Sequence, residues 1–90
     1  MKTRAHILVS GDVQGVFFRQ ETKSRADRSS VRDRIRNRDD GKVEAVFEGE
    51  EEDVETLVTF CIRGPPRAMV TNVDLKREEY TDEYKDFTIR

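Results

Sequence analysis

Hydrophobic and polar residues alternate over positions 5–9, with Ile7 and Val9 on one side and His6 and Leu8 on the other, which predicts a strand. Gly11-Asp12-Val13-Gln14-Gly15 interrupts that pattern, two glycines framing a loop. Over residues 16–29 the period becomes helical, with Phe18, Thr22, Ala26 and Ser29 on an inward stripe that is poor in apolar area. Residues 31–37 alternate again: Val31, Asp33, Ile35 and Asn37 share one face, and Arg32, Arg34 and Arg36 line the other. Asp39-Asp40-Gly41 is a hairpin turn signal, after which Val43, Ala45 and Phe47 alternate with Glu44, Val46 and Glu48 as a third strand.

Residues 50–53 are all acidic and stand where a second helix should begin, at the positive end of its dipole. Val54, Leu57, Val58 and Cys61 then recur at helical spacing with Phe60 on the same flank, until Gly64-Pro65-Pro66 stops the helix. Met69, Thr71, Val73 and Leu75 mark a fourth strand, and Phe87 and Ile89 a short last one. The order is βαββαβ plus a short C-terminal strand. It predicts an α+β fold, the ferredoxin-like split βαβ sandwich, with two helices on one face of a mainly antiparallel sheet. No repeat, low-complexity tract or linker interrupts the chain, so residues 1–90 are expected to form a single domain.

Composition narrows the function more than the fold. Among the 90 residues, 17 Lys and Arg nearly balance 19 Asp and Glu, and a net charge of -2 offers no general attraction to nucleic acid or to an anionic membrane. Charged residues make up 40 % of the chain against 34 % hydrophobic, yet the apolar positions are grouped well enough for a small core. Cys61 is the single cysteine, so no internal disulfide can form. The apolar run after Met1-Lys2-Thr3-Arg4 is too short for a signal peptide or a membrane span. A soluble, cytoplasmic monomer is expected. One His and one Cys do not make a usual zinc site, and neither a metal nor another cofactor is expected.

A strand that feeds a glycine-containing loop into a helix leaves several backbone N–H groups unpaired, and the helix dipole makes the place attractive to an anion. Arg19, in the first helical turn, would add a planar guanidinium able to grip two phosphate oxygens. Taken alone, Gly-x-x-x-Gly is more often an ordinary strand-to-helix turn. Asn37 ends the second strand beside a tight turn, and asparagine in such a place more often caps its own turn than orients a water molecule. The alternatives separate only if one pocket holds both Arg19 and Asn37. The topology allows that without requiring it.

The stretch Gly11-Asp12-Val13-Gln14-Gly15-Val16-Phe17-Phe18-Arg19 resembles the acylphosphatase signature G-x-V-Q-G-V-x-F-R at every specified position. Val31, Ile35, Asn37, Asp40, Gly41, Val43, Glu44, Ala45 and Gly49 fit the family's second signature, and Gly64-Pro65-Pro66-Arg67-Ala68 and the ending Asp86-Phe87-Thr88-Ile89-Arg90 are also family-like. The resemblance spans almost the whole chain. It implies metal-independent hydrolysis of the carboxyl–phosphate bond of a small-molecule acyl phosphate, giving a carboxylate and inorganic phosphate. It also implies the roles. The phosphate would be held by the loop 12–18, through backbone N–H groups of Val13, Gln14, Gly15, Val16, Phe17 and Phe18, together with Arg19. Asn37 would orient the attacking water. A carboxylate is a good leaving group, which lessens the need for a general acid. His6, inside a strand, reads as a packed or surface histidine rather than a catalyst.

One segment departs from the family. Where the pattern reads close to L-G-V-x-G-W-V-x-N, the chain has Ser29-Ser30-Val31-Arg32-Asp33-Arg34-Ile35-Arg36-Asn37. A leucine, two glycines and a tryptophan are replaced by Ser29, Ser30, Asp33 and Arg34. Losing a buried leucine typically costs about 2–5 kcal/mol. Residues 28–35 are therefore expected to be poorly anchored and the least protected part of the fold, with Asn37 loosened more than the phosphate loop. The rival reading is a non-catalytic ferredoxin-like module that binds a phosphate-bearing ligand. An RNA-binding module would want aromatic residues on the central strands, where only Phe47 occurs, on the helix-packed side. A metallochaperone would want a Cys-x-x-Cys loop, which is absent.

Overall fold

The computed structural model describes residues 1–90. Its elements are β1 (Lys2–Asp12), α1 (Phe18–Arg28), β2 (Arg32–Asn37), β3 (Val43–Glu50), α2 (Glu51–Arg63), β4 (Met69–Glu78) and β5 (Phe87–Ile89). They form a five-stranded sheet in the order β4-β1-β3-β2-β5. Neighbours pair antiparallel except β2 and β5, which run parallel. The expected α+β architecture is therefore present, with β1 beside β3 and β2 beyond it. β1 is longer than the alternation suggested, because pairing with β4 carries it through Gly11 and Asp12 after its pairing with β3 has ended at Val9.

The core lies between the sheet and the two helices. Ala5, Ile7 and Val9 from β1, Ile35 from β2, and Val43, Ala45 and Phe47 from β3 are fully buried there. α2 contributes Val54, Leu57, Val58, Phe60 and Cys61, the stripe that its sequence spacing predicts. α1 buries only Phe18, Thr22 and Ala26 and begins two residues later than its period implied. The delay has a local cause: Gly15 and Phe17 both adopt positive φ, at 72° and 62°, which a right-handed helix excludes. Two contacts offset the poor apolar face of α1. The Arg25 guanidinium stacks 4.1 Å over the Phe60 ring, and Lys23 Nζ donates to Phe87 O at 3.0 Å. β4 is an edge strand, and only Val70 and Val73 lean on the core while Met69 and Leu75 face outward.

Asp33 does not share the inward face with Val31, Ile35 and Asn37. Its φ of 107° turns the side chain, and the carboxylate joins Arg34 (Oδ1 to Nη1, 3.0 Å) and Arg4 (Oδ2 to Nη1, 3.0 Å) on the helix-free side of the sheet. There the connection from β4 to β5, residues 79–86, crosses from one sheet edge to the other. Glu48 accepts hydrogen bonds from Thr81 N (2.8 Å) and from Arg4 (2.8 Å). Arg34 reaches the Tyr84 hydroxyl at 3.3 Å, Arg32 donates to Tyr84 O at 3.3 Å, and Asp33 N donates to Asp86 O at 3.2 Å. Within the segment expected to be poorly anchored, this polar layer ties down residues 32–34 by charge where the family pattern has a tryptophan. Burial and the neighbouring Glu48 raise the Asp33 carboxyl from its ordinary 3.8 to about 6, even though Arg4 and Arg34 oppose the rise.

Candidate active site

Gly11 starts the site. It sits at φ 124° in a bulge where the β1–β4 register shifts, and a Cβ there would collide with Met69 O. The bulge turns the chain out of the sheet into residues 13–17. None of these residues donates one of the 12 backbone hydrogen bonds that lie outside helices and strands. The N-cap Phe17 supplies no side-chain hydrogen bond either, so the first N–H groups of α1 also lack protein partners. The loop thus presents a row of free donors at the positive end of a helix.

Gln14 fixes where that row faces. Its Nε2 donates to Arg38 O at 2.8 Å and to Lys42 O at 3.0 Å, tying the loop to the hairpin that follows Asn37. Sequence reasoning gave Gln14 only a backbone role and missed this tether. Two carbonyls 24 and 28 residues away leave no local pattern in the sequence. The result is a cavity of about 120 Å³ lined by Val13, Gly15, Phe17, Phe18, Arg19, Gln20 and Asn37. Arg19 and Asn37 therefore share one pocket. Gln14 and Val16 lie outside its lining, and Gln20 joins it.

Asn37 Oδ1 is buried with no hydrogen-bond partner. The turn-capping alternative does not hold, because the turn is closed by Asp40 Oδ1 accepting from Lys42 N (3.1 Å) and by Arg38 N donating to Lys42 O (2.8 Å). An unpaired acceptor beside unpaired donors costs about 1–3 kcal/mol of desolvation unless something fills the space. Arg19 likewise enters none of the chain's ion pairs, so its guanidinium is free toward the cavity. The arrangement can surround a compact oxyanion with N–H donors while offering one amide oxygen to a neutral donor. Other reactive side chains lie elsewhere. His6 stands on the helix-free face between Glu44 (Nε2 to Oε2, 2.7 Å) and Glu78 (Nδ1 to Oε2, 3.2 Å). Burial pushes the Cys61 thiol up to about 12, which leaves it no thiolate at neutral pH.

The family model described as Acylphosphatase matches residues 5–89. The chain belongs to the acylphosphatase family. It is 52 % identical over 88 residues to an acylphosphatase from Pelotomaculum thermopropionicum, covering 98 % of this chain and 96 % of that one. Among solved structures, an acylphosphatase from Coxiella burnetii superposes with a TM-score of 0.91 at 37 % identity, over 99 % of this chain and 93 % of that chain. An acylphosphatase from Bacillus subtilis gives 0.92 at 32 % identity, over 100 % of this chain and 99 % of that chain. The chain is thus an acylphosphatase-type hydrolase, and the ferredoxin-like topology is the family's own. No helix is long and apolar enough to cross a membrane.

Proposed function

We propose that the chain hydrolyses acyl phosphates, cleaving the carboxyl–phosphate bond to release a carboxylate and inorganic phosphate. The observation that carries this reading is one cavity lined by both Arg19 and Asn37, with Asn37 Oδ1 buried and unpaired. The phosphoryl group is bound by the N–H groups of loop 12–18 and by the Arg19 guanidinium, which grips two of its oxygens. Charge spreads over three phosphoryl oxygens in the transition state, and donors already fixed around them stabilise it without rearranging. Asn37 Oδ1 accepts a hydrogen bond from the attacking water and holds its oxygen toward phosphorus, and the water's proton leaves on the phosphate product. The leaving carboxylate carries its charge stably, so the reaction proceeds without a general acid and without a metal. The 90 residues act as one cytoplasmic, monomeric unit that engages neither nucleic acid nor membrane.

Phosphate release from benzoyl phosphate in the presence of EDTA is the test. Turnover well above the uncatalysed background is expected. Folded protein that binds inorganic phosphate without turnover would instead be a phosphate-binding module, and the proposal would fail.

A further inference from the structure

Beside the phosphate cavity lies a second, larger one of about 410 Å³, lined by Val16, Phe17, Pro65 and Pro66 together with Gln20 and Arg67. The two cavities share Phe17 and Gln20. Resting on the acyl phosphate reading above, we propose that this second cavity receives the acyl group of the substrate and favours a flat, uncharged, apolar one.

Phe17 is the main reason. Its side chain is 63 % exposed and takes no part in the hydrophobic core. It also adopts left-handed backbone geometry at φ 62°, unfavourable for a bulky residue. An exposed aromatic ring in a strained conformation gains nothing for the fold and stands at the junction of the two cavities. Strain of this kind collects where a ligand is met. The part of the lining formed by the prolines is stiff. Pro65 is buried, its carbonyl accepts from Ala68 N at 3.0 Å, and two successive prolines leave the wall little freedom to collapse. A ring seated between Phe17 and Pro66 would be stacked on one side and packed against pyrrolidine carbons on the other.

Charge points the same way. Glu21 also lines the cavity, so its charge balances that of Arg67 and the lining gives no net pull to a charged acyl group. With the phosphate in the first cavity, the acyl group must extend beyond it, and Phe17 and Gln20 are the walls that the two cavities have in common.

The experiment measures kcat/KM for benzoyl, acetyl and succinyl phosphate in wild type, Pro66→Ser, Phe17→Ala and Arg67→Ala. Wild type is expected to favour benzoyl over both others. Pro66→Ser should lower the benzoyl-to-acetyl ratio about 3–10-fold, the worth of one apolar packing contact on a ring face, chiefly through KM. Phe17→Ala should lower the same ratio at least as far, and using the ratio cancels any damage to the phosphate loop itself. Unchanged ratios in both variants would overturn the acyl site while leaving the hydrolase reading intact. A wild-type preference for succinyl phosphate, lost in Arg67→Ala, would also overturn it, in favour of an anion-selective lining. Turnover of none of the three would instead defeat the hydrolase reading.

Discussion

Ser30 offers a direct measure of how the departures from the family pattern act. The end of α1 is a Schellman arrangement: Val31 N donates to Ala26 O at 2.9 Å, and Ser30 N donates to Asp27 O at 3.4 Å. Such an arrangement places one residue in left-handed geometry, and Ser30 has φ 56° there. Left-handed backbone costs an L-residue about 1–2 kcal/mol, whereas glycine enters it without penalty. Glycine in turn loses about 0.5–1 kcal/mol more chain entropy on folding. Ser30 is exposed, so little packing is lost with its side chain. Ser30→Gly is therefore expected to stabilise the fold by about 0.5–1 kcal/mol, or about 2–8 °C in Tm for a domain of this size. Urea unfolding followed by circular dichroism should show a higher midpoint at constant slope. Ser30→Asn should fall between the two, and Ser30→Ala should gain nothing. A lower midpoint for Ser30→Gly, or an equal gain for Ser30→Ala, would refute the strain argument.

Other expectations follow from the site and from the polar layer. Arg19→Ala should weaken inhibition by inorganic phosphate as well as lower kcat/KM. Asn37→Ala should lower kcat by about 10²–10³-fold while phosphate inhibition changes little; steady-state kinetics with phosphate as inhibitor distinguishes the two roles, and intact turnover in Asn37→Ala would remove its water-holding role. Asp33, raised to about 6 in the fold from an ordinary 3.8, contributes stability that is present below 3.8 and lost as pH rises through about 6. Wild type should accordingly gain about 1–3 kcal/mol relative to Asp33→Asn between pH 7 and pH 4, and parallel urea midpoints across that range would contradict this. Gly11→Ala should lose about 3 kcal/mol or more, because its Cβ meets Met69 O at a backbone φ that alanine resists. Thermal unfolding checks it, and a melting temperature equal to that of wild type would show that the bulge can relax.

Local pattern alone determined most of the architecture. Alternation named the inward residues of β1 and β3, helical spacing named all five buried residues of α2, and the element order led to the sheet topology. These features depend on period and turn chemistry, which are properties of neighbouring residues. The nine residues ending at Arg19 likewise carried the family resemblance by themselves. Tertiary structure decided what depends on residues far apart in the chain. The amide of Gln14 reaches the carbonyls of Arg38 and Lys42 and so brings the loop beside Asn37. Asp33 reads as an inward residue by its spacing, yet its positive φ sends its carboxylate to Arg4 on the other side of the sheet. Arg32, Asp33 and Arg34, in the segment that departs from the family pattern, find partners in Tyr84 and Asp86 lying across the sheet. Spacing along the chain cannot encode such partners, because the contacts exist only once the strands have been brought into register.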